Sequence, residues 1–110
     1  MTNKTKIMDV TLRDGSYAIN FQFSEYETEK ICSLVHESGI DYVEVGHGVG
    51  LDGSSTQNGI ALCSDEEYLE AARRGSANAK YGMFCIPTYA KIDSLDKLKE
   101  YGACLLYTSP

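Results

Sequence analysis

Four short apolar runs rich in β-formers alternate with three amphipathic stretches along the 110 residues, and this alternation constrains the fold more than any other feature. Parallel neighbours cannot be joined by hairpins and need helical crossovers, so the order β-α-β-α-β-α-β predicts a parallel sheet of the α/β class. A barrel and a doubly wound sheet share this pattern, and at this point both stay open.

The individual elements follow from local signals. Ile7 to Leu12 (I-M-D-V-T-L) is nearly continuous in apolar character, as in a strand covered on both faces, and ends in the turn signal Arg-Asp-Gly. Ser24 with Glu27 forms a capping box, after which Ile31, Leu34, Val35 and Ser38 recur at helical spacing until Gly39. Asp41 to Val45 returns to strand chemistry, and a long loop with five glycines runs from Gly46 to Gly59. A second capping box, Ser64 with Glu67, opens a helix carrying Tyr68, Leu69 and Ala72, which Gly75 and Asn78 weaken. Lys80 to Ile86 is the third strand, closed by Pro87; Asp93 or Ser94 then caps a short helix with Leu95 and Leu98 inward. Gly102 precedes the last apolar run, Ala103 to Tyr107.

Three or four βα units fall short of the eight that close a barrel, so truncation is expected. Residues 104–110 (C-L-L-Y-T-S-P) resemble a peptide produced by translating sequencing-adapter DNA and are expected to be non-native, leaving 1–103 as the meaningful part.

Composition narrows the ligand class. A net charge of -6 lacks the basic face that nucleic acid or an anionic membrane demands, which leaves a small soluble ligand. No apolar run approaches bilayer length and no apolar h-region follows the first charges, so a cytoplasmic location is expected. Cys32, Cys63, Cys85 and Cys104 form no C-x-x-C pair and read as buried, reduced thiols. His36, beside Glu37 within the first helix, reads as a surface residue without a role.

In α/β folds ligands gather at the carboxyl ends of strands, and two loops there carry chemistry. After the first strand, Arg13 adjoins Asp14: the carboxylate can bind a hard cation and the guanidinium can stabilise an oxyanion, although an Arg–Asp pair can also merely tie a turn. After the second, Glu44, His47, Ser54 and Ser55 are pocket candidates by position, with His47 either a proton carrier, a polar contact or a solvated side chain. The glycines form neither G-x-G-x-x-G before a helix nor a P-loop, so nucleotide binding has no support.

T-L-R-D-G at 11–15, E-V-G-H-G-V-G-L-D-G-S-S at 44–55 and S-D-E-E-Y-L-E-A-A at 64–72 together resemble the 4-hydroxy-2-oxovalerate aldolases. These belong to the DRE-TIM metallolyase group, with hydroxymethylglutaryl-CoA lyase, isopropylmalate synthase and the pyruvate carboxyltransferases. The likeness runs to about Tyr101 and implies a TIM (β/α)8 barrel, here its first three to four βα units. It also implies a divalent metal, Mn²⁺ or Mg²⁺, bound by Asp14, and an Arg13 that steadies a pyruvate enolate. The implied reaction is retro-aldol cleavage of a 4-hydroxy-2-oxo acid to pyruvate and an aldehyde. A homo-oligomer and a partner aldehyde dehydrogenase are the assemblies the resemblance allows.

Two departures from that family stand out. Tyr17 occupies the place where these aldolases carry a histidine acid/base, and a phenol, which holds its proton at neutral pH, is a poor base. The H-x-H metal ligands of the family's later strand are absent from these residues, so the fragment alone is expected to be inactive. Acyl or carboxyl transfer on the same enolate, and a non-catalytic barrel serving as a binding module, are the alternative expectations.

Overall fold

The structure is a computed structural model, and it describes residues 7–77, 79–86, 88–101 and 103–108. The elements are β1 (Met8–Asp9), a 3-10 segment (Asp14–Ile19), α1 (Glu25–Glu37), β2 (Tyr42–Val45), α2 (Asp65–Ser76), β3 (Lys80–Cys85), α3 (Ile92–Glu100) and β4 (Cys104–Thr108). All strand pairs are parallel and the sheet order is β1-β2-β3-β4. A doubly wound sheet reverses its order at a switch point; these four strands contain no reversal.

Alternation along β2 and β3 separates two faces. Val43 pairs with Tyr81 and Val45 with Met83, and all four join the buried core with Leu69, Ala72, Cys32 and Tyr68 from the helices. Burying a side chain the size of Leu69 contributes about 1.5–3 kcal/mol. Glu44 and Gly82, also paired, point to the opposite face together with Phe84. α1 and α2 pack closely at Gly75, where a side chain would strike the Glu29 carbonyl and the Cys32 β-carbon. Outside the crossing, Arg74 binds Glu29 at 2.9 Å, an exposed pair worth little by itself.

Both capping boxes are present: Ser24 accepts from the Glu27 amide at 3.0 Å and Ser64 from the Glu67 amide at 3.1 Å. Three expectations need correction. β1 covers two residues instead of Ile7 to Leu12, because Asp9 accepts from the Thr11 amide and the Val10 carbonyl then receives the amides of Arg13, Asp14 and Gly15, coiling the chain early. α3 begins at Ile92 with Lys91 as its N-cap, not at Asp93 or Ser94; the Lys91 amide donates to Asp52 Oδ2 at 2.9 Å, and Leu95 is 38% exposed while Leu98 is buried. His36 is not a free surface residue: Nδ1 lies 3.0 Å from the Ile40 carbonyl and Nε2 3.1 Å from Ser76 Oγ, tying α1 to the end of α2.

Cys32 and Cys85 are buried and free, and Cys63 is free and half-buried; the side chain of Cys104 lies outside the described residues. Burial pushes the Cys32 thiol up to about 12 and the Cys85 thiol up to about 11. No helix among the described residues is long and apolar enough to cross a membrane.

Candidate active site

The early end of β1 delivers Arg13 to the face of the sheet that carries Glu44 and Phe84. Its Nε donates to Glu44 Oε1 at 2.7 Å, an NH1 proton goes to the Gly48 carbonyl at 3.1 Å, and the guanidinium lies 4.5 Å from the centre of the Phe84 ring. Glu44 is wholly buried while the Arg13 side chain stays 18% exposed, so loss of the arginine would strand a buried carboxylate. Glu44 Oε2 has no hydrogen-bond partner among the described residues. Strand β2 thus fixes the arginine that follows strand β1.

Arg13 and Asp14 form only a loose ion pair beside their turn. Asp14 Oδ1 is 3.7 Å from Arg13 NH1 and its side chain is 64% exposed, whereas the turn is held by backbone bonds to the Val10 carbonyl. The Asp14 carboxylate is thus exposed just past the carboxyl end of β1. Among the described residues no group of three His, Cys, Asp or Glu could hold a metal ion.

Tyr17, in the 3-10 segment, is half exposed and packs edge-on against Phe21, ring centroids 5.1 Å apart. It also rests on Gly48: a β-carbon there would lie 2.5 Å from the tyrosine ring. Gly48 is bare because a ring occupies the space a side chain would fill. Its carbonyl serves Arg13 and its α-carbon serves Tyr17, so Arg13, Asp14, Tyr17 and Glu44 share one neighbourhood.

His47 is almost fully buried and stacks on Phe21 at 3.8 Å. Its Nδ1 accepts from the Val49 amide at 3.1 Å, and its Nε2 lies 2.9 Å from the Gly59 carbonyl. Burial lowers its pKa below the ordinary histidine value, with the Gly59 carbonyl acting the other way. Ser54 Oγ accepts from the Ala61 amide at 2.9 Å and Ser55 Oγ from the Asn58 amide at 3.0 Å, so both hydroxyls shape the loop. Ser54 lines a separate hollow of about 470 Å³ with Asp52, Asp65 and Lys97, apart from Arg13.

Phe21, Phe84 and the Gly48 carbonyl build the site and were not singled out from sequence. Phe84 is two residues beyond Gly82, the register partner of Glu44, so alternation places it on that face once the pairing is known. Phe21 follows the 3-10 segment and gives no comparable signal.

Residues 4–102 match the family described as HMGL-like. The chain is 40% identical over 95 residues to an oxaloacetate decarboxylase of Mycobacterium tuberculosis, covering 86% of this chain and 28% of that protein. It is 39% identical over 103 residues to a 4-hydroxy-2-oxovalerate aldolase of Carboxydothermus hydrogenoformans, covering 94% of this chain and 31% of the relative. With an aldolase of the same name from Pelotomaculum thermopropionicum it shares 44% identity over 82 residues, 74% of this chain and 24% of the relative. The chain thus spans less than a third of the length of these relatives.

Proposed function

This chain belongs to the HMGL-like family, and we propose that it forms the first three to four βα units of a TIM-barrel lyase that breaks a carbon–carbon bond beside a 2-oxo acid. In this reading a 4-hydroxy-2-oxo acid gives pyruvate and an aldehyde. The observation that carries it is Arg13, held by Glu44, Gly48 and Phe84 beside the exposed Asp14 at the carboxyl end of β1.

As the C3–C4 bond breaks, charge develops on the 2-oxo oxygen. A guanidinium already locked in place needs no reorganisation to meet that charge and acts most strongly in the transition state. Asp14 would hold a divalent cation, Mn²⁺ or Mg²⁺, with ligands from outside these residues; when bound, such an ion polarises the 2-oxo group. Tyr17, half exposed with its ring against Gly48, would be the proton donor nearest to Arg13 in this reading. Glu44 and His47 support the pocket from behind, and Ser54 and Ser55 shape its loop. An aldehyde dehydrogenase partner and a homo-oligomer belong to this reading as assemblies of the whole protein.

A second reading is favoured by Tyr17 and by the relative named oxaloacetate decarboxylase. Loss of CO₂ from a 2-oxo acid with a carboxylate on C3 leaves the same enolate and requires no base at a hydroxyl. It requires only a proton for C3, which a phenol can donate.

The test is pyruvate release from 4-hydroxy-2-oxo acids and from oxaloacetate, with Mn²⁺ or a chelator, in the protein that joins these residues to the remaining barrel units. We expect Arg13→Lys to lower kcat by roughly 10²-fold, as for loss of one oxyanion donor. Equal turnover by Arg13→Lys would remove the role given to Arg13, absence of pyruvate release from either substrate with Mn²⁺ would remove the lyase assignment, and the preferred substrate decides between its two forms.

A further inference from the structure

We propose that His47 is a positioning residue, a neutral latch with its proton on Nε2 that holds the loop after β2 and thereby the Gly48 carbonyl that receives Arg13. The partners dictate the tautomer. The Val49 amide can only donate, so Nδ1 must be bare; the Gly59 carbonyl can only accept, so Nε2 must carry the proton. One ring thus clamps the loop's beginning to its end, twelve residues apart in sequence.

The chain of contact from the ring to the site is short. His47 precedes Gly48, whose carbonyl takes Arg13 NH1 at 3.1 Å and whose α-carbon lies under Tyr17. Phe21 stacks on His47 with one face and meets the Tyr17 edge, so the imidazole also fixes the aromatic pair. A second proton on the ring would turn Nδ1 into a donor facing the Val49 N–H and break the latch. Among the described residues the groups recorded against the ring are uncharged: Phe21 from the segment before α1, and Val49, Gly53 and Gly59 from the loop. Arg13 and Tyr17 reach the loop at Gly48, Glu44 is engaged with Arg13, and Asp52 turns its carboxylate to the Lys91 amide.

Burial lowers the His47 pKa, which is the direction a neutral latch needs. The sign follows: with the folded value below the unfolded one, the unfolded chain takes up a proton first. The stabilisation the latch gives is therefore full above the ordinary histidine value of 6.5 and is lost as pH falls through the lower folded value.

The role of this latch in turnover rests on the lyase reading, but its test does not. Nitrogen-15 NMR of the protein should show an unprotonated Nδ1 at neutral pH. On acidification, Val49 amide exchange, corrected for its intrinsic pH dependence, should speed by about fivefold, the loss of one hydrogen bond. The Arg13 Nε signal should shift with the same midpoint as the His47 ring. In His47→Asn the amide oxygen can still accept from Val49 but cannot titrate, so both pH steps should vanish. His47→Phe keeps the stacking and loses both bonds, and should move the Arg13 signal at every pH; if it fails to fold, His47→Asn carries the test. A proton on Nδ1 at neutral pH, or an Arg13 signal that ignores His47 protonation, would overturn the proposal. Intact coupling without pyruvate release would sink the lyase reading and leave the latch standing.

Discussion

Arg13 spends its guanidinium on three different kinds of contact: an ion pair, a carbonyl and an aromatic face. Its loss would leave Glu44 charged, fully buried and unpaired, a situation that costs about 3–5 kcal/mol. Arg13→Met should therefore destabilise the fold by about that amount in urea unfolding, and adding Glu44→Gln should recover part of it. An Arg13→Met variant as stable as the parent would show that the buried pair contributes nothing to the fold. Sequence placed Arg13 and Asp14 at a strand end but not the partner of the arginine. Glu44 stands 31 residues away, and only the register of β1 on β2 brings it within 2.7 Å. His47 was legible as a residue of the loop after β2, whereas the use of both its nitrogens depends on how that loop closes.

At the scale of elements, the helices were the most legible part, because a capping box is a local device written within four residues. Ser24→Ala and Ser64→Ala should each cost about 1 kcal/mol, measured by chemical denaturation, since each removes an acceptor for an otherwise orphaned amide. α3 shows where local reading fails. The amide of its N-cap, Lys91, is served by Asp52, which lies 39 residues earlier in the loop after β2. Asp52→Ala should fray the start of α3, seen as faster amide exchange at Lys91, while Asp52→Asn, which keeps an acceptor, should not. β1 failed for a comparable reason: its six residues have strand chemistry, but Asp9 and the Val10 carbonyl offer turn bonds that compete with the ladder.

At the scale of the molecule, alternation was enough to predict a parallel sheet, but strand order is a tertiary fact that no periodicity records. Metal ligation belongs to this scale too, since the described residues hold no group of three candidate ligands. Calorimetric titration of the 110-residue chain with Mn²⁺ should accordingly show no site tighter than about 1 mM. A micromolar site would mean that a complete set of ligands exists within this chain.

The unreversed strand order also bears on how such a chain is made. Met8 pairs with Tyr42 and Tyr42 with Lys80. Each of these strands therefore finds its partner in the next unit to leave the ribosome, up to about 40 residues behind it, and closing spans of that length adds little entropic penalty. At a synthesis rate of about 5–20 residues per second, an exposed strand edge waits only a few seconds for its neighbour. Each edge is thus a template for the segment translated next, and vectorial growth, not a search among distant segments, can assemble the sheet.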